Sequence, residues 1–317
     1  MTLLKRSFSG MDKALIRPSA SLIVAAPIPK DRIGNGSNYR ILMMKRNAKS
    51  SFVHAHVYPG GIVDKADHFS LWTHLGHEDG HLLTSKICAI RETFEESGLL
   101  LTTPPLTTVN LDEWKQRIHQ DASQFRVLCD TFHVRPAVER LIPFSNWITP
   151  ITEKKRYNTL FFLTVLEAFG SRREQERALS SVVADGKETV LFEWLQPEEA
   201  LEKHREGEIV MIPPQWYSLS LMKQVPDYRQ LATEAGIGSF RTRSNQIIKI
   251  LPQAQLWSDK EGYDRFLAYP GDEHYQSSEY TSKTGDRHRL YFKGRMEQFY
   301  LEKNIDVVNI IHPISSL

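Results

Sequence analysis

The segment Arg91 to Gly98, RETFEESG, narrows the possible folds more than any other stretch of the chain. Wound as a helix from about Thr84 to Ser97, it puts Glu92, Glu95 and Glu96 at i, i+3 and i+4 on one strip, with Leu83, Ile87, Ile90 and Phe94 on the opposite side. The apolar side is expected to dock and the acidic side to stay open. Carboxylates crowded onto one strip repel each other, so the arrangement costs stability unless a cation neutralises it, and such hard oxygen donors suit Mg²⁺ or Mn²⁺. Gly98 ends the helix by tolerating a left-handed backbone. Arg91 lies one turn before Glu95, where it can hold that carboxylate. An ordinary solvated surface can carry the same acidic strip, so the motif gains meaning only from its company.

That company is YPGGIVD, Tyr58 to Asp64. The two segments together resemble the Nudix box, whose pattern is G, five residues, E, seven residues, REUxEExGU, with U a bulky apolar residue. Every fixed position from Arg91 to Leu99 agrees, Phe94 standing at the first U. The box is split: its glycine normally lies fourteen residues before the arginine, whereas Gly61 to Arg91 is thirty. The position eight before the arginine, normally glutamate, is Leu83, with Asp64 or the Glu78/Asp79 pair as substitutes to consider. A split box followed by helical material and a long C-terminal extension is similar to the mammalian Nudix type 19 subfamily, whose characterised member is a peroxisomal coenzyme A diphosphatase.

The resemblance implies an α/β fold, the Nudix α/β/α sandwich around a mixed sheet, with an insertion in the box, a helical insertion after it and a β-rich C-terminal extension. It also implies a metal-dependent hydrolase in which Glu92, Glu95 and Glu96, with a backbone carbonyl near Gly61, hold Mg²⁺ or Mn²⁺ across a diphosphate. Arg91, Glu95 and Glu96 are then the catalytic group, with Glu96 or Glu95 taking the proton or a downstream Glu153, Glu167 or Glu193 serving as base. Coenzyme A or an acyl derivative, cleaved to 3′,5′-ADP and a 4′-phosphopantetheine, is the expected substrate. An ADP-ribose, dinucleotide or nucleotide-sugar diphosphatase is the alternative within the same chemistry, and a non-catalytic binding module is the alternative outside it.

Composition excludes little but usefully. With 40 basic against 38 acidic residues and a net charge of +2, there is no global electrostatic case for nucleic acid or membrane binding, so the expected partner is a small molecule. Two cysteines, Cys88 and Cys129, argue against a disulfide framework, and no apolar run is long enough to span a membrane. The basic, serine-containing start reads as a transit segment or a frayed end, and the terminal Ser315-Ser316-Leu317 resembles a degenerate peroxisomal address. A peroxisome or mitochondrion is therefore the expected compartment. The oligomeric state is not legible.

Along the chain, residues 1–18 read as a tail, 19–235 as the hydrolase domain with insertions near 65–82 and 103–143, and 236–317 as an extension packed on it. SASLIVAAP and YRILMMK read as a strand pair, after which Lys45 and Arg46 are placed to meet a diphosphate or to serve as plain surface charges. Six histidines between His54 and His81 (His54, His56, His68, His74, His77 and His81) could bind zinc but lack cysteines at ligand spacing. An amphipathic stretch follows from Asp112 to Asp130, with Trp114, Ile118, Phe125 and Leu128 on its buried side. WITP and RYNTLFFL are similar to a subfamily segment that turns Arg156 and Tyr157 to the cleft. The helix start Ile212 to Tyr217, IPPQWY, resembles one that forms part of the acyl or pantetheine side of the pocket.

Overall fold

The computed structural model describes residues 15–29, 36–46, 54–76, 79–106, 111–166, 189–234, 247–294 and 297–306. The expectations for the N-terminal tail up to residue 14, for His77, Glu78 and Glu167, and for the last eleven residues lie outside the described residues.

The strand β1, Ile16–Pro27, is the axis of the fold. It begins three residues before the expected Ser19 and is buried from Ser19 onward, because strands cover both its edges and cores cover both its faces. The period of two divides its side chains. Ile23 and Ala25 face one core with Tyr39, Ile41 and Met43, while Leu22, Val24 and Ala26 face the other with Leu42, Ile87, Ile90 and Phe94. An unbroken apolar run is what such a doubly covered strand needs.

In the main sheet, β1 pairs antiparallel with β2 (Tyr39–Arg46) at its C-terminal end and with β4 (Gly60–Ile62) at its N-terminal end; β3 (His56–Val57) lies beyond β2. On its other edge β8 (Arg156–Val165) runs parallel to β1, followed by β7 (Ile142–Ile148), while β9 (Thr189–Leu195) joins β2. The sheet is mixed, as the fold expectation requires. A short pair, β5 (Thr102–Thr103) with β6 (Arg135–Pro136), brackets the helical insertion.

Helix α1 runs from Gly80 to Ser97, starting four residues before the expected Thr84 because Asp79 caps it, accepting from the His81 amide at 2.8 Å. It ends where expected, with Gly98 in the left-handed region (φ 78°) and its amide bonded to the Phe94 carbonyl. The insertion ahead of α1 is three 3₁₀ turns, Lys65–Asp67, Phe69–Leu71 and Thr73–Leu75, locked by Trp72, which is buried and donates its indole N–H to the Ala66 carbonyl at 2.9 Å. The amphipathic stretch after α1 is two helices, α2 (Asp112–Gln120) and α3 (Gln124–Phe132), broken at Asp121, whose carboxylate accepts from the Ser123 amide. Ile118, Phe125 and Leu128 are buried as expected, whereas Trp114 is half-buried against Phe132.

The chain continues through α4 (Pro197–Arg205), α5 (Pro213–Met222) and α6 (Tyr228–Glu234) into β10 (Lys249–Ile250), which extends the main sheet beside β7. A separate antiparallel sheet follows: β11 (Gln253–Gln255), β12 (Arg265–Ala268), β13 (His288–Lys293) and β14 (Glu297–Lys303). Its inner residues Leu267, Tyr269, Leu290, Phe292 and Phe299 belong to the same core as Trp147 and the α5 residues Tyr217, Leu219 and Met222. Trp147, Tyr217 and Tyr269 meet edge to face at 5.5–6.0 Å, within the usual range for aromatic pairs. The Tyr217 hydroxyl also meets His288 Nε2 at 2.8 Å.

This second sheet carries a buried ion pair: Arg289 and Asp272, both 0% exposed, are joined by bonds of 2.7 and 2.8 Å. Removing Asp272 leaves the buried Arg289 with only the longer contacts to Asp259 and Glu273 at 3.3 and 3.4 Å, so Asp272→Ala should lower stability by about 3 kcal/mol in urea unfolding. Because the core is shared, the variant should still unfold in one transition.

Candidate active site

Two glycines bring α1 against the sheet. A Cβ on Gly60 (φ +157°) would lie 2.4 Å from the Ala20 carbonyl oxygen, and one on Gly61 would lie 2.3 Å from the Glu92 carboxyl carbon, so no larger residue fits either place as built. The Gly60 amide then donates to Glu96 Oε2 at 2.8 Å. The strand start and the acidic face of α1 are thereby interlocked.

Arg91 organises the carboxylates. It is 3% exposed; its Nε and Nη2 each donate at 2.8 Å to the two oxygens of Asp67, itself 1% exposed. Its Nη1 lies 3.0 Å from Glu92 Oε1 and contacts Glu95 Oε1. Burial works against the Arg91 charge, but the Asp67 and Glu92 carboxylates outweigh it and keep the guanidinium protonated. Burial pushes the Glu92 carboxyl up to about 7; Arg91 opposes that shift, and Glu95 and Asp67 add to it. Burial raises Glu95 too, again against Arg91.

The expectation of an open acidic face is corrected here. Glu95 and Glu96 are 8% and 7% exposed, because the first 3₁₀ turn covers Arg91 and α2 covers the last turn of α1, with Lys115 Nζ donating to the Glu96 carbonyl at 3.0 Å. Neither of the considered substitutes for the box glutamate that can be described reaches Arg91 by a hydrogen bond: Asp64 caps the turn Lys65–Asp67 and Asp79 caps α1. Asp67 does. It stands six residues after Gly61, the spacing of the unsplit box, so counting forward from the glycine finds it and counting back from the arginine gives Leu83.

The carboxylates open on a cleft of about 480 Å³. One wall carries Gly60, Gly61, Glu92, Glu95, Glu96 and His119; the floor is Ser19, Ser21, Tyr157, Thr159 and Phe161; the far side is Arg46, Val57, Tyr58, Ile212 and Gln215. Strand parity sorts the proposed substrate residues. Neighbours on a strand point to opposite faces, so Arg46 and Tyr157 line the cleft and their neighbours Lys45 and Arg156 do not. Lys45 lies opposite His56 in the sheet, and Arg156 donates its Nε to the Thr149 carbonyl at 3.1 Å. Of the proposed downstream bases, Glu193 is 3.0 Å from His56 and Glu153 sits exposed in a turn; neither lines the cleft.

His119 was not legible as a site residue. It comes from the helical insertion, and its Nδ1 lies 3.7 Å from Glu95 Oε2. Among the described residues no three histidine, cysteine or acidic side chains already converge as a metal cage, neither the histidine-rich insertion nor the α1 strip. The α1 donors nevertheless suit a hard cation: they are carboxylates facing a glycine cradle that a Cβ would fill. No helix among the described residues is long and apolar enough to cross a membrane.

A glycine-bounded segment seated on a helix of clustered glutamates, set on a mixed sheet, defines a class, and in it this chain resembles the Nudix hydrolases, which supports a pyrophosphohydrolase enzyme. More particularly it resembles the type 19 group: residues 79–222 match the family described as the NUDT19 Nudix domain. A Gallus gallus protein named acyl-coenzyme A diphosphatase NUDT19 is 28% identical over 315 residues, covering 78% of this chain and 81% of that protein. The Xenopus laevis protein of the same name is 31% identical, covering 59% and 60%. A NUDIX hydrolase from Alicyclobacillus acidocaldarius shares the fold, with a TM-score of 0.58 at 20% identity, covering 70% of this chain and 97% of that one.

Two outcomes test the site. Asp67→Ala should destabilise the protein by about 3–5 kcal/mol, because it leaves Arg91 buried without its main partner; chemical denaturation reads this directly. Glu92 binds its proton more tightly in the folded than in the unfolded chain, so in metal-free buffer its contribution to stability is fully present below about 4.5 and lost as pH rises through about 7. Wild type should therefore lose stability relative to Glu92→Gln across that window.

Proposed function

We propose that this protein is a metal-dependent diphosphatase acting on coenzyme A or acyl-coenzyme A, releasing 3′,5′-ADP and a 4′-phosphopantetheine or its acyl derivative. The observation that carries the reading is one cleft with an acidic wall on α1 and a mixed far side, where the aliphatic Val57 and Ile212 stand beside Arg46, Tyr58 and Gln215, which suits a diphosphate attached to a long, weakly polar arm. The similarity to relatives named as acyl-coenzyme A diphosphatases supports the same substrate class.

A diphosphate resists hydrolysis because its negative oxygens repel a nucleophile, so the site must neutralise charge and aim a water in line. Glu92, Glu95, Glu96 and the Gly61 carbonyl are the groups that would hold Mg²⁺ or Mn²⁺. When bound, such a cation draws charge from the diphosphate oxygens and lowers the pKa of water. Arg91 keeps Glu92 and Glu95 in place and leaves the cation to compete for their remaining lone pairs. Water attacks phosphorus, the bridging P–O bond breaks, and Glu96 or Glu95 takes the water's proton. Arg46 supplies positive charge on the far side of the cleft, and Tyr157 offers a ring and a hydroxyl on its floor.

The test is release of 3′,5′-ADP from coenzyme A with Mg²⁺, with Mn²⁺ and with chelator, beside ADP-ribose and NADH at equal concentration. Metal-dependent release favouring coenzyme A is expected. Preference for another diphosphate would keep the chemistry and reject the substrate, and inactivity on all three would favour a binding module. Glu96→Gln retains an acceptor for the Gly60 amide, so it should keep the wild-type Tm while lowering kcat by about 10²-fold or more.

A further inference from the structure

Gln215 is a buried polar residue that neither the core nor the carboxylate cluster explains. It lies in the first turn of α5, is 3% exposed, and lines the far side of the cleft. Its side-chain oxygen has no hydrogen-bond partner among the described residues. The Tyr58 hydroxyl donates to the Gln215 main-chain carbonyl at 3.4 Å. A buried carbonyl without a donor is costly, and one that lines a cleft is available to a ligand's donor. The flanking side chains, Val57 and Ile212, are aliphatic; Tyr58 is 2% exposed and set edge-on to Phe161, so this end presents aliphatic contact in place of a stacking surface. One acceptor in an aliphatic wall fits a flexible chain that carries an N–H donor.

We propose that Gln215 is a specificity residue whose side-chain oxygen accepts an amide N–H from the pantetheine arm of the substrate. The assignment rests on the coenzyme A reading above. The acceptor is held rigidly, because α5 is backed by Trp147, Tyr269 and His288, so it is preorganised for a donor. An adenine amino group is the other N–H donor in the same substrate, and the two sources can be separated.

Gln215→Met removes the acceptor at nearly constant volume. In Mg²⁺ buffer, calorimetry should show 4′-phosphopantetheine binding about tenfold more weakly to this variant than to wild type, with 3′,5′-ADP unchanged, and the KM for coenzyme A should rise about tenfold with little change in kcat. A second measurement needs no variant: a 4′-phosphopantetheine analogue with ester oxygen in place of the amide N–H groups should bind wild type about tenfold more weakly than the amide. Equal binding of amide and ester, or of 4′-phosphopantetheine to wild type and variant, overturns the assignment, as does no measurable binding to wild type. A loss that appears with 3′,5′-ADP overturns it in favour of adenine. A wild type that binds 4′-phosphopantetheine through Gln215 yet does not cleave coenzyme A rejects the catalytic reading alone, and one that cleaves coenzyme A with the KM unmoved in Gln215→Met rejects this assignment alone.

Discussion

The bidentate contact between Arg91 and Asp67 is the interaction on which the rest of the site depends. Both groups are almost fully buried, and either one alone would carry a desolvation cost of several kcal/mol. Together they fix the guanidinium plane, and its remaining nitrogen is then aimed along α1 at Glu92 and Glu95. Because Asp67 closes the first turn after the Pro59-Gly60-Gly61 loop and also accepts from the Asp64 amide, the same pair holds that loop near the helix. The glycine contacts with Glu92 and Glu96 follow from this, and so does a carboxylate strip facing a cleft rather than bulk water. A cation and a diphosphate would meet charges already in position, which is the form of electrostatic assistance that costs least reorganisation during reaction.

Much of this was legible in the sequence, for reasons that differ from residue to residue. The α1 periodicity and the Gly98 cap are local signals, and local signals survive without knowledge of the tertiary structure. The strands and the β-rich extension were legible as runs of apolar and β-branched residues, whereas the mixed sheet was implied by the resemblance. What failed were the features set by residues distant in sequence. The cover over Glu95 and Glu96 comes from Asp67 and α2, so helix periodicity alone predicted an open face. Lys45 and Arg46 were read as meeting a diphosphate or as plain surface charges, and Arg156 and Tyr157 as facing the cleft by resemblance; an extended backbone turns adjacent side chains to opposite sides, and one of each pair lines the cleft. His119 carried no signal, since its helix reaches the site through tertiary contacts, the packing of Ile118 in the core and the bond from Lys115 to the Glu96 carbonyl.

The two insertions that set this chain apart from a compact box are packed on each other. Trp72, between the 3₁₀ turns ahead of α1, lies 5.7 Å from the ring of Phe125 on α3, although the residues are separated by the whole of the acidic helix. Both rings are buried in the same core, where each forms part of the other's cover. Evolution is therefore not free to lengthen, trim or exchange one insertion by itself. Lineages that retain the tryptophan are expected to retain a large apolar residue opposite it, and a chimera that borrows only one of the two segments inherits a cavity where the two insertions meet.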